Sequence, residues 1–142
     1  MNEVKPDSLL IEQLLNAQVG VLGCMMLDGD CVVYVLSHVS VKDFQEMQYR
    51  TIFQAIQALF RAGLPTDAIS VREKLGGDSW TPLLKGILDT IVTTACVDGY
   101  VAQLKESSLL YQMQEIGVQL AAAPELEYAR SLLDRAMQLQ VS

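Results

Sequence analysis

Along this chain apolar residues recur three and four positions apart, the repeat of one helix face, and the period of two that marks a strand is almost absent. A sequence patterned this way buries its apolar stripes only by packing helix on helix. One short segment, Cys31-Val32-Val33-Tyr34-Val35-Leu36, has a β-like composition. Its nearest possible partners are helical, so it reads as a buried helix. The expected fold class is all-α, a compact multi-helix globular head followed by a C-terminal antiparallel helical hairpin.

The first helix is expected from Asp7 or Ser8, just after Pro6, to about Leu27. Leu10, Leu14, Ala17, Val21 and Cys24 make one face of it. Gly20 and Gly23 interrupt that helix. A mid-helix glycine costs about 1 kcal/mol against alanine, so the pair suggests close approach of a neighbouring helix. Asp28-Gly29-Asp30 is a turn. Ser40 and Asp43 have capping-box spacing and should open a long helix with Tyr49, Phe53, Ile56 and Phe60 on one face, flanked by Ile52 and Leu59. Gly63 is its expected C′ residue, and Pro65 bars continuation. Asp67 should cap a short helix ending at Leu75. Gly76-Gly77-Asp78 is a loop, and a further helix is expected from about Trp80 to Val92 with Pro82 in its first turn.

Residues 97–142 read as the hairpin and 1–96 as the head. One continuous helix is expected from Val97 to Ala122, about 39 Å long at 1.5 Å per residue. Leu109, Met113, Ile116 and Leu120 form its later stripe. Ala121-Ala122-Ala123-Pro124 breaks it. A last helix, about Glu125 to Leu139, carries Glu125 and Glu127 in its first turn, where the macrodipole favours acids. Ala129, Leu133 and Ala136 form its seam, with Leu126 and Leu132 beside it. A two-helix hairpin cannot cover apolar faces on both sides, which points to self-association. The residues expected to carry it are Leu109, Met113, Ile116, Leu120, Leu133 and Ala136. A charge at Ile116 is expected to weaken association and leave the head folded.

Composition narrows the function. Ten Lys and Arg stand against 17 Asp and Glu, for a net charge of −7. Tight binding to nucleic acid needs cations on the phosphates, so none is expected from this chain alone. An apolar content of 51% with 19% charged residues excludes a disordered tail. The three cysteines form no C-x-x-C pair, and the one histidine, His38, cannot complete a zinc site. Free thiols acting as small core hydrophobes fit a reducing cytosol. Met1–Asp7 is charged and has no apolar core of a signal peptide. The longest apolar run, Val19–Leu27, is short against the roughly 20 residues of a membrane span, so a soluble cytoplasmic protein with no membrane contact is expected.

No catalytic, cofactor-binding or metal-ligating set emerges. Gly76-Gly77 is followed by Asp78, so there is no P-loop, and no G-x-S-x-G elbow, H-E-x-x-H or EF-hand is present. His38 after an apolar run reads as structural, Asp28 and Asp30 as a plain turn, and Met25-Met26 as core. Trp80 and Tyr100 could stack on bases but lack basic neighbours, which favours packing. Asp67 is a cap before it is an acid. These readings favour an interaction module over an enzyme.

Several segments in register resemble a known family. Asn16-Ala17-Gln18-Val19-Gly20-Val21-Leu22-Gly23-Cys24-Met25-Met26-Leu27-Asp28 resembles an E-A-E-x-x-V-L-G-x-x-L-x-D motif. Asp43-Phe44, then Tyr49-Arg50-x-Ile52-Phe53-x-Ala55-Ile56, is similar to D-F-Y…H-x-x-I-F-x-A-I. Gly63-x-Pro65-x-Asp67-x-Ile69-x-Val71 with Leu75 resembles G-x-P-x-D-x-x-T-V…L, and Tyr100-Val101-x-x-Leu104-Lys105-Glu106 resembles Y-A-x-x-V-x-E. Together they resemble the N-terminal domain of DnaB-type replicative DNA helicases, over about Ser8 to Ala122. The chain departs from the pattern at Asn16, Gln18, Gln45 and Tyr49, in a shorter segment between Leu75 and Trp80, and in having no arginine at Tyr111 or Gln112. These departures suggest a divergent member.

The resemblance implies a helical head and a hairpin that pairs between subunits, giving a dimer, or a hexameric collar as a trimer of dimers in the full-length protein. It implies docking of primase and of a helicase loader in DNA replication. ATP and magnesium would belong to a RecA-like helicase domain that this sequence does not contain, leaving no activity or cofactor to this chain. The chain is then expected to be a piece of a longer ATP-dependent helicase. Two other readings remain at this point: the related helicase-binding domain of a primase, and a small ligand-binding helical protein with a pocket near Trp80.

Overall fold

The computed structural model describes residues 8–139. The expectations for Met1–Asp7 and for the last three residues lie outside the described residues. The order is α1 (Ser8–Leu27), α2 (Asp30–His38), a 3-10 turn (Val41–Asp43), α3 (Met47–Arg61), α4 (Ala68–Leu75), a second 3-10 turn (Asp78–Trp80), α5 (Thr81–Asp89), α6 (Val97–Ala121) and α7 (Leu126–Gln138). No strand occurs among the described residues. The β-like run Cys31–Leu36 lies inside α2, with Cys31, Val32 and Val35 buried.

The head is built around α1, which packs on α2, α3, α5 and, most extensively, α6. Leu14, Ala17, Val21, Leu22 and Met25 of α1 enter one core with Phe44, Ile52, Phe53, Ile56, Val71, Leu84, Ile87, Val101 and Leu104. Phe44 and Phe53 stack at its centre, ring centroids 4.6 Å apart. Burying each side chain of that size contributes about 1.5–3 kcal/mol. By length and mean hydropathy α1 could cross a membrane, the one such helix among the described residues, but most of it is buried inside this head. Its apolarity is used by the core.

Both glycines of α1 are contact points. A Cβ on Gly20 would overlap the ring of Tyr100 at the start of α6, and one on Gly23 would overlap the side chain of Ile91. Bare backbone at these positions lets α6 and the segment before it lie against α1.

The chain turns where the caps require. After α3, Gly63 has φ +73°. The Leu64 N–H reaches the Leu59 carbonyl at 2.9 Å and the Gly63 N–H reaches Phe60 at 3.0 Å, the paired bonds of a Schellman motif. Asp67 occupies the N-cap of α4 and accepts the Ser70 hydroxyl at 2.6 Å.

Four boundaries differ from the sequence reading. The Ser40–Asp43 capping box closes only a 3-10 turn, and the backbone is extended at Phe44 and Glu46 before α3 begins at Met47. This break lets Phe44 turn into the core while Asp43 faces α6. Trp80 falls in a 3-10 turn, and α5 stops at Asp89, short of Val92, where the Thr90 hydroxyl donates to the Ile87 carbonyl at 2.7 Å. Glu125 is the N-cap of α7, so only Glu127 lies in its first turn.

Helix α6 serves both parts of the fold. Val101 and Leu104 belong to the head core, and the rest of the helix runs out to pair with α7. Gly20→Ala should destabilise the protein by about 1–3 kcal/mol in urea unfolding, since the tight packing leaves the added carbon nowhere to go. The loss should shrink in a Tyr100→Ala background, where the ring it would strike is gone.

Candidate assembly surface

In the hairpin Ile116 (6% exposed) and Leu132 (0%) are the buried apolar residues beyond the head core. The outer face differs. Leu126, Leu133 and Met137 of α7 are 68%, 49% and 69% exposed. At about 100° per residue these three fall within roughly 20° of one line along the helix. On α6, Leu110 is exposed, and exposed Gly117 lies two turns further along the same line. A Cβ on Gly117 would touch nothing, so its own chain makes no use of the space there.

The residues expected to carry self-association are divided by this geometry. Leu133 is exposed, and Leu109, Met113, Leu120 and Ala136 are half-buried. Ile116 is already covered by its own chain. A charge there would be felt within the hairpin, outside the head core. Leu110, Gly117, Leu126 and Met137 lie outside the expected set and are exposed. Their signal was the seven-residue spacing of 110 to 117 and of 126 to 133, the seam spacing of helices that pair along their length.

A buried polar cluster ties the hairpin to the head. The Asp43 carboxylate accepts the Ser40 N–H at 3.0 Å, the Lys105 ammonium at 3.2 Å and the Ser108 hydroxyl at 3.0 Å. Gln112 extends the chain by donating to Ser108 Oγ at 3.0 Å. Beside the cluster is a cavity of about 450 Å³, lined in part by Lys42, Lys105, Leu109 and Leu139. Sequence reading found only the capping contact. The further signal was Lys105 and Ser108, three apart and so on one face of α6.

Gln18 is fully buried. Its Nε2 donates to the Leu14 carbonyl at 3.2 Å, and its Oε1 accepts the Glu46 N–H at 3.4 Å. A carboxylate could not make the first bond, so glutamine suits this position.

The other candidates make local contacts. His38 lies against Tyr34, ring centroids 4.4 Å apart, with Nδ1 at 2.8 Å from the Tyr34 carbonyl. Asp28 holds the Asp30 N–H at 3.0 Å and the Thr94 hydroxyl at 3.4 Å, as a turn carboxylate does. Tyr100 and Trp80 are partly buried against the core. Among the described residues no group of three or more His, Cys, Asp or Glu is placed to hold a metal ion. An apolar groove of about 290 Å³ lies between α4 and α5, with Ile69, Leu84 and Leu88 on its walls.

Burial pushes the Cys24 thiol up to about 11, helped by the Cys31 and Cys96 thiols and by Asp28. Burial and then Asp28 raise Cys31 as well. Burial also raises the phenols of Tyr49 and Tyr111, with Glu46 and Glu115 adding to the shift. These are inert thiols, since reactivity needs a thiolate.

A helical head and a hairpin with an exposed apolar line define an all-helical module. Comparison with known proteins gives the family. The profile of the DnaB-like helicase N-terminal domain matches residues 11–106. Replicative DNA helicase DnaB of Mycobacterium leprae is 29% identical over 137 residues, covering 87% of this chain and 22% of its own length. The DnaB of Leifsonia xyli subsp. xyli is 31% identical over 125 residues, covering 81% of this chain and 25% of its own. The crystal structure of the N-terminal domain of DnaB helicase from Mycobacterium tuberculosis superposes with a TM-score of 0.73 at 28% identity, over 88% of this chain and 94% of that one. This chain belongs to the DnaB-like helicase N-terminal domain family and is a divergent member of it. It spans about a quarter of the length of those two full-length relatives.

The cysteines give a pH-dependent outcome. Unfolded, Cys24 titrates near its ordinary 9.0, and folded near about 11. The native state holds that proton more tightly, so the stability from this group is intact below pH 9 and is lost as pH rises from there to about 11. Urea unfolding at increasing pH should show the decline, and Cys24→Ala should reduce it. Iodoacetamide at neutral pH should modify exposed Cys96 and spare Cys24 and Cys31 until the chain unfolds.

Proposed function

We propose that this chain forms the N-terminal collar of a replicative DNA helicase, acting in DNA replication by assembling subunits and docking partners, with no activity of its own. The observation that carries this reading is the unfilled apolar line on the hairpin: Leu110 and Gly117 on α6, Leu126, Leu133 and Met137 on α7. Apolar side chains aligned over both helices, with a bare glycine among them, suit a second helical hairpin crossing closely. The partner in this reading is a second copy, giving a dimer, and in the full-length protein a hexamer built as three such pairs. An isologous contact of this kind puts the same stripe on both sides of the interface.

The head is then free to receive a primase or a helicase loader in a primosome. The acidic surface is consistent with protein partners and with leaving the nucleic acid to other parts of the helicase. ATP and magnesium would serve the helicase domain and not this one. The location that fits is the cytoplasm.

Sedimentation velocity tests the assembly. The chain should pass from monomer to dimer across the micromolar range. Leu133→Glu combined with Met137→Glu should weaken association by at least about tenfold, or 1.4 kcal/mol, with the melting of the head unchanged. Gly117→Leu should weaken it in the same way. A chain that stays monomeric at high micromolar concentration overturns the collar reading.

A further inference from the structure

We propose that Asp43 is a positioning residue that fixes the hairpin's tilt and roll on the head. The carboxylate belongs to the 3-10 turn of the head, is almost wholly buried, and spends both oxygens on α6. Oδ1 takes the Ser108 hydroxyl, and Oδ2 takes the Lys105 ammonium and the Ser40 N–H. Two grips three residues apart on one face of a helix restrain its rotation as well as its distance. A single apolar contact does not, because dispersion has no direction.

The position of this grip matters more than its number of bonds. Val101 and Leu104 are the last buried α6 residues of the head core, with Tyr111 packed partly against it further on. Lys105 and Ser108 follow at once, where the helix leaves that core. From Ser108 to the end of α6 at Ala121 the rod extends about 20 Å at 1.5 Å per residue. A tilt of about 10° at the grip therefore moves the tip by about 3–4 Å, the length of an apolar contact. Beyond the grip, Tyr111 packs partly against the head core and Gln112 bonds Ser108 within α6. The cavity of about 450 Å³ beside Asp43 leaves room for Lys105 to swing away once its carboxylate is lost.

Asp43 holds α6 in this way without any second copy of the chain. Its consequence for assembly, that Asp43 aligns the stripe toward a second copy, rests on the collar reading. The two are separated by measuring the pose directly. Spin labels at Met47→Cys on the head and Ser131→Cys on α7, both exposed positions and neither on the apolar line, in a Cys96→Ser background, report the distance between the parts. Buried Cys24 and Cys31 stay unlabelled, and excess unlabelled protein suppresses distances between copies.

With Asp43 intact a single narrow distance is expected. Asp43→Asn strands Lys105 and should broaden the distribution or add a second maximum, with the helical content and head melting largely kept. Asp43→Asn with Lys105→Met removes the stranded charge and should recover part of the narrow distance. If Asp43→Asn fails to fold, Lys105→Met with Ser108→Ala, which keeps the Ser40 contact, must give the broadening instead. An unchanged narrow distance in the folded variants overturns the proposal. Broadening in a chain that also proves monomeric upholds Asp43 as positioning residue and sinks only the collar reading.

Discussion

The contact on which this fold depends is the meeting of α1 and α6 over bare backbone at Gly20. Tyr100 occupies the space a Cβ would need, and Ile91 does the same at Gly23. The first sets the distance between the head's central helix and the rod that leaves it, and the second holds the segment leading into that rod. Two mid-helix glycines cost about 2 kcal/mol of helix propensity, and dense packing of α1 against α6 offsets it. The hairpin has no large core of its own, so this contact sets where α6 leaves the head, while its tilt is left to Asp43.

Polar groups do the rest of the positioning, each where the apolar pattern alone would allow sliding. Gln18 stands in the middle of α1 and supplies the acceptor for Glu46, at the start of α3. Thr66 reaches from the loop before α4 to the Met25 carbonyl at 3.3 Å. Asp43 joins the 3-10 turn to α6. All three lie inside the head and have bonding partners, so they cost less to bury than orphaned groups would and they fix register between elements. Hydrophobic contact drives the collapse. These bonds select among its closely packed alternatives.

The fold class, the long α6 and the role of Gly20 and Gly23 were legible because they depend on local spacing. The helix carrying Cys31–Leu36 was legible for a different reason, since no second strand existed to pair with it. The early end of α5 and the break at Phe44 were not legible. Both are settled by contacts distant in sequence or by a hydroxyl competing for a carbonyl. Asp43 shows the limit clearly: its capping contact is three residues away, and its other two partners are more than sixty residues further on. The hairpin stripe was only partly legible, because helical spacing gives a face but not which of two neighbouring faces turns inward. Leu132 turned in and Leu133 out, one residue and about 100° apart.

That one-residue distinction bears on why the outer face exists. Leu126, Leu133 and Met137 are largely exposed in the folded chain, so folding gains little by having them apolar. Gly117 is a net cost, since alanine there would meet no clash and would stabilise the helix by about 1 kcal/mol. Scattered apolar residues on a surface need no explanation. An aligned set that adds nothing to folding, together with a glycine that detracts from it, is different. It would benefit a state other than the isolated chain. In the collar reading that state is the paired hairpin, where the same side chains are desolvated and the space above Gly117 is filled. Assembly would then draw on surface whose cost was already met when the chain folded, while Asp43, held inside the head, keeps that surface at a fixed angle.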